Sequence, residues 1–145
     1  MGIVYADLTL KNAGDVLFAQ LGHKEEAEIR SLKVKALVDT GAGTLVINEE
    51  VRQKLGLRIE NYRQATLADG TVQSYAQTEP VRIHWKERNM ICLPMLLPGA
   101  KEILLGAIPL EEMDLIVDPK NQELTGRHGD QMHMILYSMR QGKAA

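Results

Sequence analysis

The sequence predicts a mainly β domain, a closed barrel of short strands with one or two short helices. Three observations lead there. Short apolar runs, one of them clearly alternating at period two, recur along the 145 residues. Turn-forming residues break these runs at close intervals. No internal repeat or low-complexity linker divides the chain, and its 45% hydrophobic residues suffice for one core, so residues 1–145 are read as one domain. Closing a sheet of many short strands into a barrel removes its exposed edges.

The elements follow in order. Ile3 to Leu10 is strand-like, and Lys11-Asn12-Ala13-Gly14-Asp15 is read as a turn. Val16 to Leu21 is expected to be a second strand, and the polar Gly22 to Glu26 a loop. From Ile29 to Val38, Leu32, Val34, Ala36 and Val38 share one face and Lys33 and Lys35 the other, the pattern of a half-buried strand. Leu45-Val46-Ile47 is a short apolar strand. Asn48 then reads as a helix N-cap, Glu49 and Glu50 as its favourable first turn, Val51 and Leu55 as its apolar side and Gly56 as its stop. Ala65 to Gln73 centres on Asp69-Gly70, a strong hairpin-turn dipeptide. Val81 to Trp85 and Met90 to Leu97 are strands around a polar turn, Lys86-Glu87-Arg88-Asn89. Ile103-Leu104-Leu105 is a buried run ending in Gly106, and Pro109 marks the start of a short helix that reaches Leu115. A strand ends at Asp118-Pro119, another begins at Gln122-Glu123-Leu124, and Met132 to Met139 forms the last. The tail from Gly142 to Ala145 is expected to fray.

Composition narrows the classes of function. A formal net charge of -2 gives no electrostatic reason to expect nucleic acid or an acidic membrane as partner. Aromatic residues, at 4%, are too few for a base-stacking surface. No segment has the length of a membrane span. The first residues lack the charged and long apolar parts of a signal peptide, and Ala6 stands where myristoylation needs Ser or Thr. Cys92 is the single cysteine, which excludes an internal disulfide and fits a reducing compartment. A cytoplasmic location is expected.

One motif carries chemistry. In Ala36-Leu37-Val38-Asp39-Thr40-Gly41-Ala42 an apolar strand ends on an acid, followed at once by Thr and Gly. Asp-Thr-Gly alone is weak, since chance places it in on the order of a few per cent of chains this long. Its setting adds weight, between two apolar strands, with the Asp69-Gly70 hairpin and then Ile103-Leu104-Leu105-Gly106 downstream. A turn-capping Asp that catalyses nothing is the plain alternative.

These ordered elements, over roughly residues 3–125, resemble the retropepsin-like aspartic proteases, in particular small single-domain bacterial members. Leu-Leu-Gly-Ala (Leu104 to Ala107), followed by a helix and an Asp-Pro turn, adds to the likeness. The resemblance implies an endopeptidase with Asp39 as catalytic acid and base. It implies support for the loop from Thr40, Gly41, Ala42 and Gly106, and a substrate-covering flap at Leu67, Ala68, Asp69, Gly70 and Thr71. No cofactor and no metal are implied.

The chemistry needs two carboxylates, and this chain has one such motif. Asp15, Asp114, Asp118 and Asp130 are not followed by the right residues, and Asp69 lies in a polar hairpin. The second acid is therefore expected from a second copy, through C2 pairing of identical loops. Two carboxylates that close share a proton. One takes a proton from water while the other protonates the scissile carbonyl. Thr40 is expected to hydrogen-bond the partner loop, and Gly41 to let loops and substrate approach closely. Ala42 has no hydroxyl to donate to the acid, which predicts an activity optimum nearer neutrality than in gastric-type relatives. Leu37, Leu67 and Ile108 are candidate subsite residues. The Met132 to Met139 strand is either a dimer-interface element or an ordinary core strand.

Other readings are weaker. His128 and His133 with Cys92 have poor spacing for zinc. Ser31, Ser74 and Ser138 lack a nucleophile-elbow context. Cys92 and the seven Met residues are read as core filler, although Met132, Met134 and Met139 could line a dimer seam. A catalytically silent dimerisation or peptide-binding module, or a peptidase active only inside a larger complex, remain as alternative functions.

Overall fold

Most of the chain is spent on one curled, mixed sheet. The structure is a computed structural model and describes residues 2–138. In chain order the elements are β1 (Tyr5–Asn12), α1 (Ala13–Gln20), a single 3-10 turn (Glu26–Glu28), β2 (Ser31–Val38) and β3 (Leu45–Ile47). They continue with α2 (Glu49–Leu55), β4 (Ile59–Thr66), β5 (Val72–Thr78), β6 (Val81–Trp85), β7 (Arg88–Cys92) and β8 (Met95–Leu96). The last are β9 (Ile103–Leu105), α3 (Ala107–Glu112), β10 (Leu115–Asp118) and β11 (Glu123–Gly126).

Among the described residues nine strands form the main sheet in the order β4-β5-β8-β3-β9-β2-β1-β6-β7, and β10 pairs with β11 in a second, two-stranded sheet. The ladders thus run from one edge strand, β4, to another, β7, as a half-barrel, where the sequence pattern predicts a closed barrel. At the centre, β9 runs parallel to β2, with Val38 opposite Leu105, and antiparallel to β3, with Leu45 opposite Leu105. Leu105 is a fully buried residue in the middle of this crossing.

The core follows from alternation. On β1, Ala6, Leu8 and Leu10 are buried while Tyr5 and Asp7 are exposed. On β2 the expected face holds: Leu32, Val34 and Val38 pack against the core, Ala36 is fully buried, and Lys33 and Lys35 face water. Ile83 and Trp85 of β6 and Val51 and Leu55 of α2 join it, as do Leu45, Ile47 and Leu105 at the centre of the sheet. Helix α2 forms as its local signals predict. The Asn48 side chain accepts from the Val51 amide at 3.0 Å, and Gly56 ends the helix at φ 63, a left-handed backbone that glycine adopts without steric cost.

Helix α1 replaces the strand expected at Val16 to Leu21. Asn12, expected in a turn, instead ends β1 and caps this helix, accepting from the Asp15 amide at 3.0 Å. The same side chain donates to the Leu55 carbonyl at 2.8 Å, tying the start of α1 to the end of α2. Asp15 is buried, and Arg30 grips it through Nε at 2.8 Å and Nη2 at 2.9 Å, with Lys24 at 2.9 Å. A short apolar run has no preference between helix and strand that tertiary partners cannot override. Here the partners are residues 15 positions apart.

Three further differences are local. The polar turn at 86–89 narrows to Lys86-Glu87, because Arg88 and Asn89 enter β7 and the Arg88 side chain is buried. Helix α3 begins two residues before Pro109, which fits because proline within the first turn has no intrahelical N–H to lose. Residues 132–136 form no strand, and Met132 to Tyr137 are exposed, so this stretch is not a core strand. Met139 and the tail from Gly142 to Ala145 lie outside the described residues.

Cys92 packs against the core, and burial pushes its thiol up to about 12. It should therefore resist alkylation in the native protein at pH 8 and react once the chain is unfolded. Asp15 offers a second test. Its hydrogen bonds to Arg30 hold its carboxyl well below the usual range, against the opposing effect of burial, with help from Lys24. Asp15→Ala should cost about 3 kcal/mol in urea denaturation, because it leaves charged partners unpaired. A carboxyl depressed by folding stabilises above its unfolded pKa, and that contribution is lost as pH falls. The gap between wild type and variant should therefore narrow below about pH 4.

Candidate active site

Asp39 follows the last residue of β2, where the strand leaves the core. Its amide donates to the Leu105 carbonyl at 3.0 Å, which continues the β2–β9 pairing by one residue and fixes the backbone that carries the acid. The chain then turns sharply. The Ala42 amide donates to the Asp39 carbonyl at 3.1 Å, and the Gly41 amide donates to Asp39 Oδ1 at 2.9 Å. The carboxylate is thus oriented by its own loop. Asp39 is half-buried, whereas Thr40 and Gly41 are exposed.

Gly106 holds this loop from beneath. The Ala107 amide donates to the Ala42 carbonyl at 2.8 Å, and the Ile108 amide to the Gly43 carbonyl at 3.2 Å. A Cβ on Gly106 would fall on the Thr44 carbonyl oxygen and within 2.6 Å of the Ala42 carbonyl oxygen. Two backbones meet here with no room for a side chain. The start of α3 therefore docks directly on residues 42–44. At Gly41 a Cβ would lie 3.1 Å from Asp39 Oδ1, tight against the oriented carboxylate itself.

The residues expected to support the loop, Thr40, Gly41, Ala42 and Gly106, are therefore brought together around Asp39. The expected flap is a separate unit. Leu67 to Thr71 join β4 and β5 as a hairpin loop in which the Gly70 amide donates to the Leu67 carbonyl at 2.9 Å. Gly70 has φ 85, so the tip is a tight turn closed by a left-handed glycine. Asp69 Oδ1 accepts from the Thr71 hydroxyl at 2.6 Å and the Thr71 amide at 2.9 Å. These bonds hold its exposed carboxyl below the usual range. Ala68 to Thr71 are exposed and Leu67 is half-buried, so the tip is held by its own hydrogen bonds. In the sheet, β8, β3 and β9 stand between β5 and β2.

Thr40 and Ile108 line a groove of about 980 Å³ whose far wall is the chain after β11. Leu37 and Leu67 are not among its lining residues. The groove's walls include residues whose part no motif signals: Asp114, His128 and His133. Arg88, read from sequence as a turn residue, lies buried behind them. A buried position for Arg88 was detectable only weakly, as a charge two residues before the apolar Met90-Ile91. Among the described residues no group of three His, Cys, Asp or Glu side chains is placed to hold a metal ion. No helix there is long and apolar enough to cross a membrane.

The family model described as "gag-polyprotein putative aspartyl protease" matches residues 26–112, and the chain belongs to that family of retropepsin-like aspartic proteases. The matched span runs from the 3-10 turn to the end of α3 and contains Asp39, the hairpin and Gly106. The crystal structure of the retroviral protease-like domain of Ddi1 from Leishmania major shares the fold. It has a TM-score of 0.54 and 15% identity over 86% of this chain and 88% of that one. A retropepsin-like aspartic protease from Rickettsia conorii aligns with a TM-score of 0.46 and 17% identity, over 81% of this chain and 83% of that one. A comparison with curated proteins finds no match.

The two loop glycines should behave differently on substitution. Gly106→Ala drives a Cβ into backbone carbonyls that cannot give way, and should destabilise the fold by about 3 kcal/mol or more in chemical denaturation. Gly41→Ala meets a side-chain oxygen instead, and should cost about 1 kcal/mol. Equal losses in the two variants would contradict the close approach at Gly106.

Proposed function

We propose that the protein is an aspartic endopeptidase that works as a homodimer, each chain supplying one Asp-Thr-Gly lobe and one Asp39. The observation that carries this reading is the oriented Asp39 carboxylate, held at 2.9 Å by the Gly41 amide on a loop braced by Gly106, in a chain of an aspartyl protease family. Peptide hydrolysis without a covalent intermediate needs a base and an acid at once. A single carboxylate cannot serve both roles in one step. A second copy related by a two-fold axis brings an identical loop, and in this reading Thr40, exposed beside the acid, meets its counterpart.

In this mechanism the paired carboxylates hold one proton between them, because two adjacent negative charges are costly. The ionised carboxylate takes a proton from the water, and the water oxygen bonds to the scissile carbonyl carbon. The protonated carboxyl gives its proton to the carbonyl oxygen. The tetrahedral intermediate then collapses: one diol hydroxyl gives its proton to the ionised carboxylate, the nitrogen takes the proton held by the other carboxyl, the C–N bond breaks, and amine and carboxylic acid leave with the dyad again holding one proton. Substrate lies extended under the hairpin tips at Leu67 to Thr71, which open to admit it and close to exclude water. An extended peptide pairs through its backbone, so apolar subsites beside the scissile bond set the preference.

In the same reading the half-barrel of each chain is one lobe of the closed dimer, and the protein works in the cytoplasm. The single, core-packed Cys92 suits a reducing compartment. The test is a mass-spectrometric digest of a diverse peptide mixture from about pH 4 to pH 7. Wild type should cleave, with an optimum toward the neutral end. Asp39→Asn should retain the fold and dimer but lose activity by at least about a hundredfold. A folded, dimeric wild type that cleaves nothing would leave a dimerisation or peptide-binding module as the function.

A further inference from the structure

Beyond β11 the described residues form no strand, yet they return to the groove beside the catalytic loop. A buried acid, with a buried arginine behind it, holds them there. Asp114 sits between α3 and β10, 4% exposed, with φ 55. That left-handed backbone is unusual for a residue with a Cβ, though Asp tolerates it better than most. It turns the chain so that both carboxylate oxygens face the returning segment. Asp114 Oδ1 and Oδ2 lie 2.9 Å and 3.0 Å from His128 Nδ1, and Oδ2 accepts from the His133 amide at 3.1 Å. An ionised carboxylate only accepts, so His128 Nδ1 is the donor. The His128 and His133 rings pack with centroids 4.6 Å apart.

Arg88 fixes the same junction from behind. Its buried guanidinium donates to the carbonyls of Met113 at 2.7 Å and Asp114 at 2.8 Å, and also to the carbonyl of Gly129. The Arg127 amide adds a bond to the Asp114 carbonyl at 2.8 Å. Burial pushes the Asp114 carboxyl up. The His128 hydrogen bond and charge, the His133 amide and the Arg88 charge outweigh it and hold the group ionised below the usual range.

Hydrogen bonds to a buried carboxylate, rather than burial of its own apolar side chains, attach this segment. Met134 is 69% exposed and Tyr137 is 90% exposed, so the apolar run gains little from its own fold. Ile108, across the groove, is 61% exposed. Thr40, the residue after the catalytic acid, lines the same groove. An apolar wall left open beside a half-complete catalytic site needs cover, and a second copy of the chain brings both the cover and the missing acid.

We propose that Asp114 is a positioning residue of the two-chain site: through His128 and His133 it holds the returning segment so that its apolar residues within 132–137 form the wall against which the second copy seats beside Thr40. This rests on the homodimer reading above. Asp114 touches no reacting atom and acts through the segment that it holds.

The test compares Asp114→Gly, which keeps the left-handed backbone but loses the carboxylate, with Asp114→Asn, which keeps one acceptor oxygen. Hydrogen exchange over residues 127–138, sedimentation equilibrium and peptide cleavage at several protein concentrations are read together. In Asp114→Gly, exchange in 127–138 should rise with little change elsewhere. The dimer should dissociate about tenfold more readily. Cleavage per chain should fall at low concentration and recover at high concentration, which loss of a catalytic group would not allow. Asp114→Asn should restore part of each effect. If Asp114→Gly does not fold, His128→Gln removes the imidazole and should give the same pattern. Unchanged exchange, or a wild-type dimer constant in a variant whose segment has loosened, overturns the positioning role alone. A wild type that stays monomeric at every concentration overturns the homodimer reading, and the positioning role with it.

Discussion

The contact on which the rest of the structure depends is the passage of Gly106 beneath residues 42–44. Backbone touches backbone there, with the Ala107 amide on the Ala42 carbonyl at 2.8 Å. Three consequences follow from this one approach. The loop after Asp39 is braced from below, so its own hydrogen bond to the carboxylate can persist. Strand β9 is kept between β2 and β3, and the centre of the sheet stays in register. Helix α3 starts where it must, which places Ile108 and the turn at Asp114 on the same side of the molecule as Thr40. A hydrophobic contact could give way by a rotamer change, but two peptide planes cannot.

Two buried acids do at the periphery what apolar packing does at the centre. Asp15 gathers α1 and the chain before β2 through Arg30 and Lys24. Asp114 gathers the chain after β11 through His128 and the His133 amide, with Arg88 on the adjoining carbonyls. Both attach segments that carry exposed apolar side chains, Leu17 and Phe18 in one case and Met134 and Tyr137 in the other. A paired buried charge defines position sharply but contributes little net stability, because desolvation offsets most of its attraction. Such contacts suit segments whose place matters more than their burial.

The hairpin stands apart from these constraints. Strands β4 and β5 are exposed over most of their length, and the tip at Leu67 to Thr71 is closed by its own hydrogen bonds. The β5–β8 pairing at Ala76 and Gln77 joins its base to the sheet, with the Thr78 amide on the Pro94 carbonyl at 3.0 Å and the Gln77 side chain on the Leu93 carbonyl at 3.2 Å. Few buried contacts and an internally satisfied tip describe a unit that can swing as a body without unfolding.

The sequence by itself determined the central features. Asp39-Thr40-Gly41, the Leu-Leu-Gly run at 104–106, the alternation on β2, the cap at Asn48 and the Asp69-Gly70 turn are each local, and each is where the pattern places it. Periodicity and turn chemistry act over a few residues, so one chain suffices to read them. Tertiary structure decided the rest. Val16 to Leu21 became helical because Asn12 reaches Leu55 and Asp15 reaches Arg30, partners that no window of neighbouring residues contains. The sheet's two edges were likewise set by which strands meet, not by any one strand's composition. Arg88 looked like a turn residue until Met113, Asp114 and Gly129 converged on it. The stretch from Met132 has the apolar content of a strand, yet a strand also needs a partner ladder. Among the described residues that stretch has none, and an acid 19 positions upstream holds it in place instead. Hydrogen bonds between distant residues have no periodic signature, so only the folded chain reveals them.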